Sequence, residues 1–159
     1  MQETAARLIA LCRQRRVSLC TAESCTGGMI AETLTAVSGA SEVFLGSLVT
    51  YDERMKEKWL GVSPETLRGH GAVSADCARE MALGARRASG ADVALSVTGF
   101  AGPGGGTERD PVGTVYLAVA QGDVCECVKR RFSGDREAVR RQACDTALSL
   151  LLLAVEQPN

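Results

Sequence analysis

The chain has 159 residues, 45% of them apolar and 23% charged, which suits one globular domain over residues 1–159 and is too apolar for disorder. Eighteen Lys and Arg against nineteen Asp and Glu leave a net charge of −1, a balance that argues against a broad nucleic-acid surface or a polybasic membrane surface. The most apolar stretch, Leu148 to Val155, is far short of the ~20 residues that a membrane span needs. Residues 1–16 carry no basic region followed by an apolar one, so no secretory leader is read there. Seven cysteines without a C-x-x-C pair, and a single histidine, argue against a Cys/His metal site. The odd thiol count fits a reducing cytoplasm, where free cysteines act as small hydrophobes.

In chain order, Ala5, Leu8, Ile9 and Cys12 recur at helical spacing over residues 3–15. Val17 to Ala22 reads as a strand, and Gly27-Gly28 leads into a helix through Ile30, Leu34 and Val37. Val43 to Tyr51 is a second strand, followed by a charged segment of helical length. Ser63-Pro64 starts a helix with Ser as N-cap and Pro at its first position. A longer helix follows Ser74 through Ala78, Met81, Ala82 and Ala85. Val93 to Val97 is a buried strand, and Val112–Ala120 and Val124–Phe132 pair as an antiparallel hairpin across Gly122-Asp123. Cys125 and Cys127 share one face of the last strand. Asp135 to Glu156 closes the sequence as a long amphipathic helix. Alternating strands and helices with one late hairpin predict an α/β fold with helices on both faces of a mixed sheet.

Three segments bear on chemistry. Thr21-Ala22-Glu23-Ser24-Cys25-Thr26-Gly27-Gly28 lies at the carboxyl end of a predicted strand and opens a helix, the edge where α/β sheets bind ligands. Ser24 there suits a nucleophile whose oxyanion would face the amides of Cys25, Thr26 or Gly27; alternatively Ser24 or Thr26 merely caps the helix. A base would be His70, the sole imidazole, or a lysine. If Asp52 is an N-cap, Tyr51 stands at N′ and Lys56 at N4, positions that meet in the hydrophobic-staple geometry. Burial beside the phenol would then depress the Lys56 pKa, whereas a solvated helix face over Glu53–Lys58 is the competing reading. The third segment, Thr98 to Thr107, holds five glycines between Gly99 and Gly106, enough to bring backbone amides against an anion. Arginines at 136, 140 and 141 open the last helix as candidate phosphate partners.

Together, Ala22-Glu23-Ser24-Cys25-Thr26-Gly27-Gly28, Thr50-Tyr51 with Lys56, His70-Gly71-Ala72-Val73-Ser74, Thr98-Gly99-Phe100-Ala101-Gly102-Pro103, Pro111-Val112-Gly113-Thr114-Val115 and Ser133-Gly134-Asp135-Arg136 resemble the CinA carboxy-terminal domain family, which includes stand-alone nicotinamide mononucleotide deamidases. The resemblance runs from about residue 5 to about residue 153. It implies a three-layer α/β/α sandwich with a mixed, mainly parallel five-stranded sheet. It also implies an amidohydrolase of pyridine nucleotide salvage that turns nicotinamide mononucleotide into nicotinic acid mononucleotide and ammonia, without metal or organic cofactor. On that resemblance Ser24 is the nucleophile, with Lys56 and Tyr51 as its partners. Cys25, Thr26, Gly27 and Gly28 would hold the oxyanion. Thr98, Gly99, Gly102, Gly105 and Arg140 would bind the rest of the substrate, and a homodimer is expected. The spacer Asp52-Glu53-Arg54-Met55 is bulkier than the Ser-Asn-bearing family pattern. Two other readings compete: a non-catalytic nucleotide-phosphate sensor, and a Ser24/His70 hydrolase.

Overall fold

A computed structural model describes residues 1–157. Helix α1 (Gln2–Arg15) buries Ala5, Leu8, Ile9 and Cys12, the stripe read from their spacing. It ends on Arg16 in the left-handed conformation, and the Val17 N–H turns back to the Cys12 carbonyl at 3.0 Å. Val17 is thus spent on closing the helix, and β1 begins two residues later than its apolar run suggests, as Leu19–Glu23. Helix α2 is Met29–Thr35, and a short 3₁₀ turn at Ala40–Glu42, unmarked in the sequence, leads into β2 (Phe44–Val49).

Three helices follow before the next strand. Asp52 caps α3 (Glu53–Leu60) by accepting from the Arg54 N–H, and Ser63 caps α4 (Pro64–Gly69) by accepting from Thr66. Ser74 caps α5 (Ala75–Ser89) through the Cys77 N–H. Strands β3 (Val93–Gly99), β4 (Thr114–Gln121) and β5 (Val124–Arg131) precede α6 (Arg136–Glu156), which Asp135 caps.

The five strands form one sheet in the order β2-β1-β3-β4-β5. β1 runs parallel to both β2 and β3, while β4 is antiparallel to β3 and to β5. Only β4 therefore runs against the other strands, which makes the sheet mixed and mainly parallel. One face packs on α1, α2 and α6 through Leu19, Leu95, Val97 and Leu117, and the other on α5 through Cys20, Ala22 and Ala94. This is the three-layer sandwich. Cys125 and Cys127 lie half-buried together against α5, as their alternation predicts. All seven cysteines are free. No helix among the described residues is long and apolar enough to cross a membrane.

Strand β1 ends at Glu23, paired with Val97 two residues before the end of β3, and β2 ends beside Glu23 at Val49. The connections leaving these ends deliver the turn after β1, helix α3 and the glycine-rich loop to one edge of the sheet. Helix α3 is held there by close contact with α5: a Cβ on Gly84 would stand 1.9 Å from the Leu60 carbonyl oxygen. Gly84→Ala should therefore destabilise by about 1–3 kcal/mol although Ala is the better helix former. Urea unfolding followed by circular dichroism checks this; unchanged or higher stability would show that the two helices separate freely.

Candidate active site

The largest fully buried side chain of the protein is a lysine. Lys56, on the first turn of α3, is 1% exposed, while its neighbours Glu53, Arg54, Glu57 and Lys58 face solvent. Its Nζ lies 2.9 Å from Ser24 Oγ, 2.6 Å from the Thr50 carbonyl and 3.5 Å from the Tyr51 carbonyl. No carboxylate is among these partners. Burial pushes the Lys56 pKa below its ordinary 10.5. A neutral amine has two N–H donors and one lone pair, which match two carbonyls and one hydroxyl, so the site accommodates the uncharged form with Ser24 as donor to it. The N4 placement holds, and the bulky spacer does not crowd the site, because Asp52, Glu53 and Arg54 point to solvent.

The reason for the depressed pKa differs from the one expected. The Tyr51 phenol is not beside Lys56: the residue is 63% exposed and only its carbonyl approaches the amine. The phenol oxygen instead accepts from Arg136 Nη2 at 2.9 Å, and Arg136 Nη1 donates to the Gly102 carbonyl at 2.7 Å. Arg136 thereby ties Tyr51 to the glycine-rich loop. The solvated environment of an N′ residue, with no apolar partner at N4, lets the ring swing outward. Lys56 is desolvated by the surrounding structure, which includes the neutral thiols of Cys25 and Cys77, both raised to about 12 by their own burial.

Ser24 does not cap α2. The helix begins on Gly28, at φ 99° and without a side-chain cap, and its amino terminus is filled by Glu23. This fully buried carboxylate accepts from Thr26 Oγ1 at 2.7 Å, from the N–H groups of Gly28 at 3.0 Å, Ile30 at 3.1 Å and Ala31 at 2.9 Å, and from Ser47 Oγ at 3.2 Å. The start of α2 is accordingly not open to a substrate oxyanion, as the sequence suggested for the Gly27-Gly28 region. Gly27 N–H is also occupied, by the Ser24 carbonyl. Among the described residues the N–H groups of Cys25 and Thr26 have no acceptor.

Arg140 reaches this turn from α6. Its Nε donates to the Cys25 carbonyl at 3.1 Å and its Nη2 to the Thr26 carbonyl at 2.8 Å. In a trans peptide the N–H points opposite to the C=O, so the Thr26 N–H is turned away from Arg140. The guanidinium therefore shapes the turn; the third arginine, Arg141, pairs with Glu137 on the exposed face of α6.

The glycine-rich segment is partly strand. Thr98 and Gly99 belong to β3, and Thr98 Oγ1 is committed to the Ala72 carbonyl at 2.7 Å. A Cβ on Gly99 would sit 2.7 Å from the Thr114 carbonyl oxygen, and one on Gly102 2.7 Å from a Val112 methyl. Gly105 holds φ +85° against the Phe100 ring. The glycine density thus answers to the chain's own packing, not to a ligand alone. Even so, no N–H between Ala101 and Gly106 has an acceptor among the described residues. His70 is outside this constellation, paired through Nδ1 with Asp76 on α5.

The profile described as the CinA C-terminal domain matches residues 1–155. The chain belongs to this family. Among curated relatives, a CinA-like protein of Geobacter sp. strain M21 is 54% identical over 145 residues, covering 91% of this chain and 35% of that protein. Another from Anaeromyxobacter dehalogenans strain 2CP-1 is 55% identical over 150 residues, covering 94% and 36%. The chain therefore spans about a third of the length of the curated relatives it matches. Among solved structures, competence/damage inducible protein CihA of Agrobacterium tumefaciens superposes with a TM-score of 0.94 at 41% identity, over 98% of this chain and 95% of that one. Competence damage-inducible protein A (ComA) of Klebsiella pneumoniae gives 0.96 at 36% identity, over 99% and 98%. The fold and the family expected from the motifs are both shown.

The buried amine has a measurable signature. Between its lowered folded pKa and 10.5, the unfolded chain binds a proton that the folded chain does not, so Lys56 makes stability rise with pH across that window and is costliest below it. Thiols raised from 9.0 to about 12 act in the opposite sense at the alkaline end. The comparison of wild type with Lys56→Met isolates the lysine: the wild type should gain stability relative to the variant as pH rises toward 10.5. Parallel curves in urea titrations would mean that Lys56 is charged in the fold.

Proposed function

We propose that the protein is a serine amidohydrolase that cleaves the carboxamide of nicotinamide mononucleotide, releasing ammonia and nicotinic acid mononucleotide. Family membership supports the substrate. One observation carries the chemistry: Ser24 Oγ lies 2.9 Å from the amine of a buried lysine that has no carboxylate partner.

In this reading Ser24 Oγ attacks the carboxamide carbon while neutral Lys56 takes its proton. The negative charge on the carbonyl oxygen meets the free N–H groups of Cys25 and Thr26, held in place by Arg140. As the carbon–nitrogen bond breaks, Lys56 returns the proton to the leaving nitrogen, and ammonia departs from the acyl-enzyme. Water then attacks the ester, gives its proton to Lys56, and the Ser24 hydroxyl is restored as the carboxylate leaves. Tyr51 is too exposed and too firmly paired with Arg136 to relay that proton. We assign it instead, with Arg136 and the free N–H groups from Ala101 to Gly106, to the ribose phosphate. Arginine suits that group because its fork matches phosphate oxygens, and Arg140 is already engaged with the turn.

Incubation of the pure protein with nicotinamide mononucleotide should release ammonia. Ser24→Ala and Lys56→Met should each lower kcat/KM by about 10²–10⁴-fold or more with the fold intact. Arg136→Ala should raise KM by about tenfold, and His70→Ala should leave turnover unchanged. Thermal stabilisation by the nucleotide without ammonia release would instead identify a binding module. Loss of turnover in His70→Ala with Lys56→Met active would transfer the base to the imidazole.

A further inference from the structure

Glu23 is fully buried and outside the proton-transfer steps above. It ends β1 one residue before Ser24, and strand alternation sends its side chain to the α2 face while Ser24 turns to the α3 and α5 face. The carboxylate accepts five hydrogen bonds from four different places: the turn (Thr26 Oγ1), the cap of α2 (Gly28), its first helical residues (Ile30 and Ala31) and the neighbouring strand (Ser47). Two oxygens have about four lone-pair sites, so this group is saturated. We infer that Glu23 is the positioning residue of the reaction: an internal anion that fixes the Ser24–Gly28 turn from beneath, and closes the positive start of α2 to the substrate's own anionic group.

The inference rests on the amidohydrolase reading and extends it to an acid that touches neither substrate nor reacting atoms. Two clamps hold the turn in opposite senses. Arg140 takes the carbonyls of Cys25 and Thr26, and Glu23 takes the Thr26 hydroxyl and the amide donors that follow. Between them the Cys25 and Thr26 N–H groups are left without an acceptor among the described residues. An acceptor-only carboxylate is required, because an amide at position 23 would turn an NH2 group toward some of the same donors. Small displacements of a nucleophile are costly in rate while ground-state binding, made at the far loop and Arg136, is left alone.

The test uses the whole chain and nicotinamide mononucleotide. Glu23→Gln should lower kcat by about 10–100-fold while KM stays within about threefold. The acid limb of its pH profile should keep the wild-type position, since Glu23 acts on geometry and not on Lys56. Thr26→Val and Ser47→Ala, which each remove one donor, should lower kcat by a smaller factor at unchanged KM, and these losses should disappear in the Glu23→Gln background. Wild-type enzyme without turnover would remove the amidohydrolase reading itself, whereas the following results overturn only the role of Glu23. They are a folded Glu23→Gln with kcat within about twofold of wild type, a loss confined to KM, or a shifted acid limb. Should Glu23→Gln not fold, Thr26→Val and Ser47→Ala decide alone: lowered kcat at constant KM supports the role, and wild-type kcat in both overturns it.

Discussion

An ammonium moved from water into a protein interior loses several kcal/mol of solvation unless an opposite charge meets it. No opposite charge meets Lys56: its partners are two carbonyl oxygens and a serine hydroxyl. Burial without a counter-charge therefore favours the free amine and lowers the Lys56 pKa. The rest of the molecule can be described by what it does for that one contact. β2 and the cap on Asp52 set the start of α3, the close approach of Gly84 to Leu60 sets its depth, and β1 carries Ser24 to the opposite side of the gap.

The sheet edge concentrates polar backbone at the point where three connections leave the parallel strands β1, β2 and β3. Several of these groups are met by long-range side chains: Glu23 for the amides of α2, Arg140 for the carbonyls of the turn, Thr98 for the Ala72 carbonyl, and Arg136 for Gly102. Two N–H groups, those of Cys25 and Thr26, are the exceptions among the described residues of the turn. Exceptions of this kind mark functional sites, because an unpaired buried donor costs about 1–3 kcal/mol in a fold that has no use for it.

Much of this was legible in the chain. The helical stripes, the Ser63, Ser74 and Asp135 caps and the Gly122 hairpin are local, and local rules placed them within two residues. Position N4 for Lys56 followed from one cap residue, Asp52. What local rules missed was long-range. Nothing in the spacing of Arg140 marks it for carbonyls 114 and 115 residues away. Tyr51 was drawn toward Lys56 by adjacency, although an exposed N′ ring has no reason to fold back on a polar neighbour. Glu23 did leave a signal: a lone acid at the end of an otherwise apolar strand, with Thr26 and two glycines just beyond it, is a cap supplied from outside the helix. Glycine density misled in the other direction, since Gly99 and Gly102 serve contacts with β4 and Val112 that are not visible until the strands are paired.

Arg136 and Arg140 stand one helical turn apart on α6, the last element of the chain, and they hold Tyr51, Gly102 and the Ser24 turn. Ser24 and Lys56, by contrast, both lie 80 or more residues before α6 in the sequence. Removing α6 would therefore leave Ser24 and Lys56 in the chain while taking away the guanidinium groups that tie the turn and the glycine-rich loop together, so the alignment of two early residues depends on an element far from them in sequence.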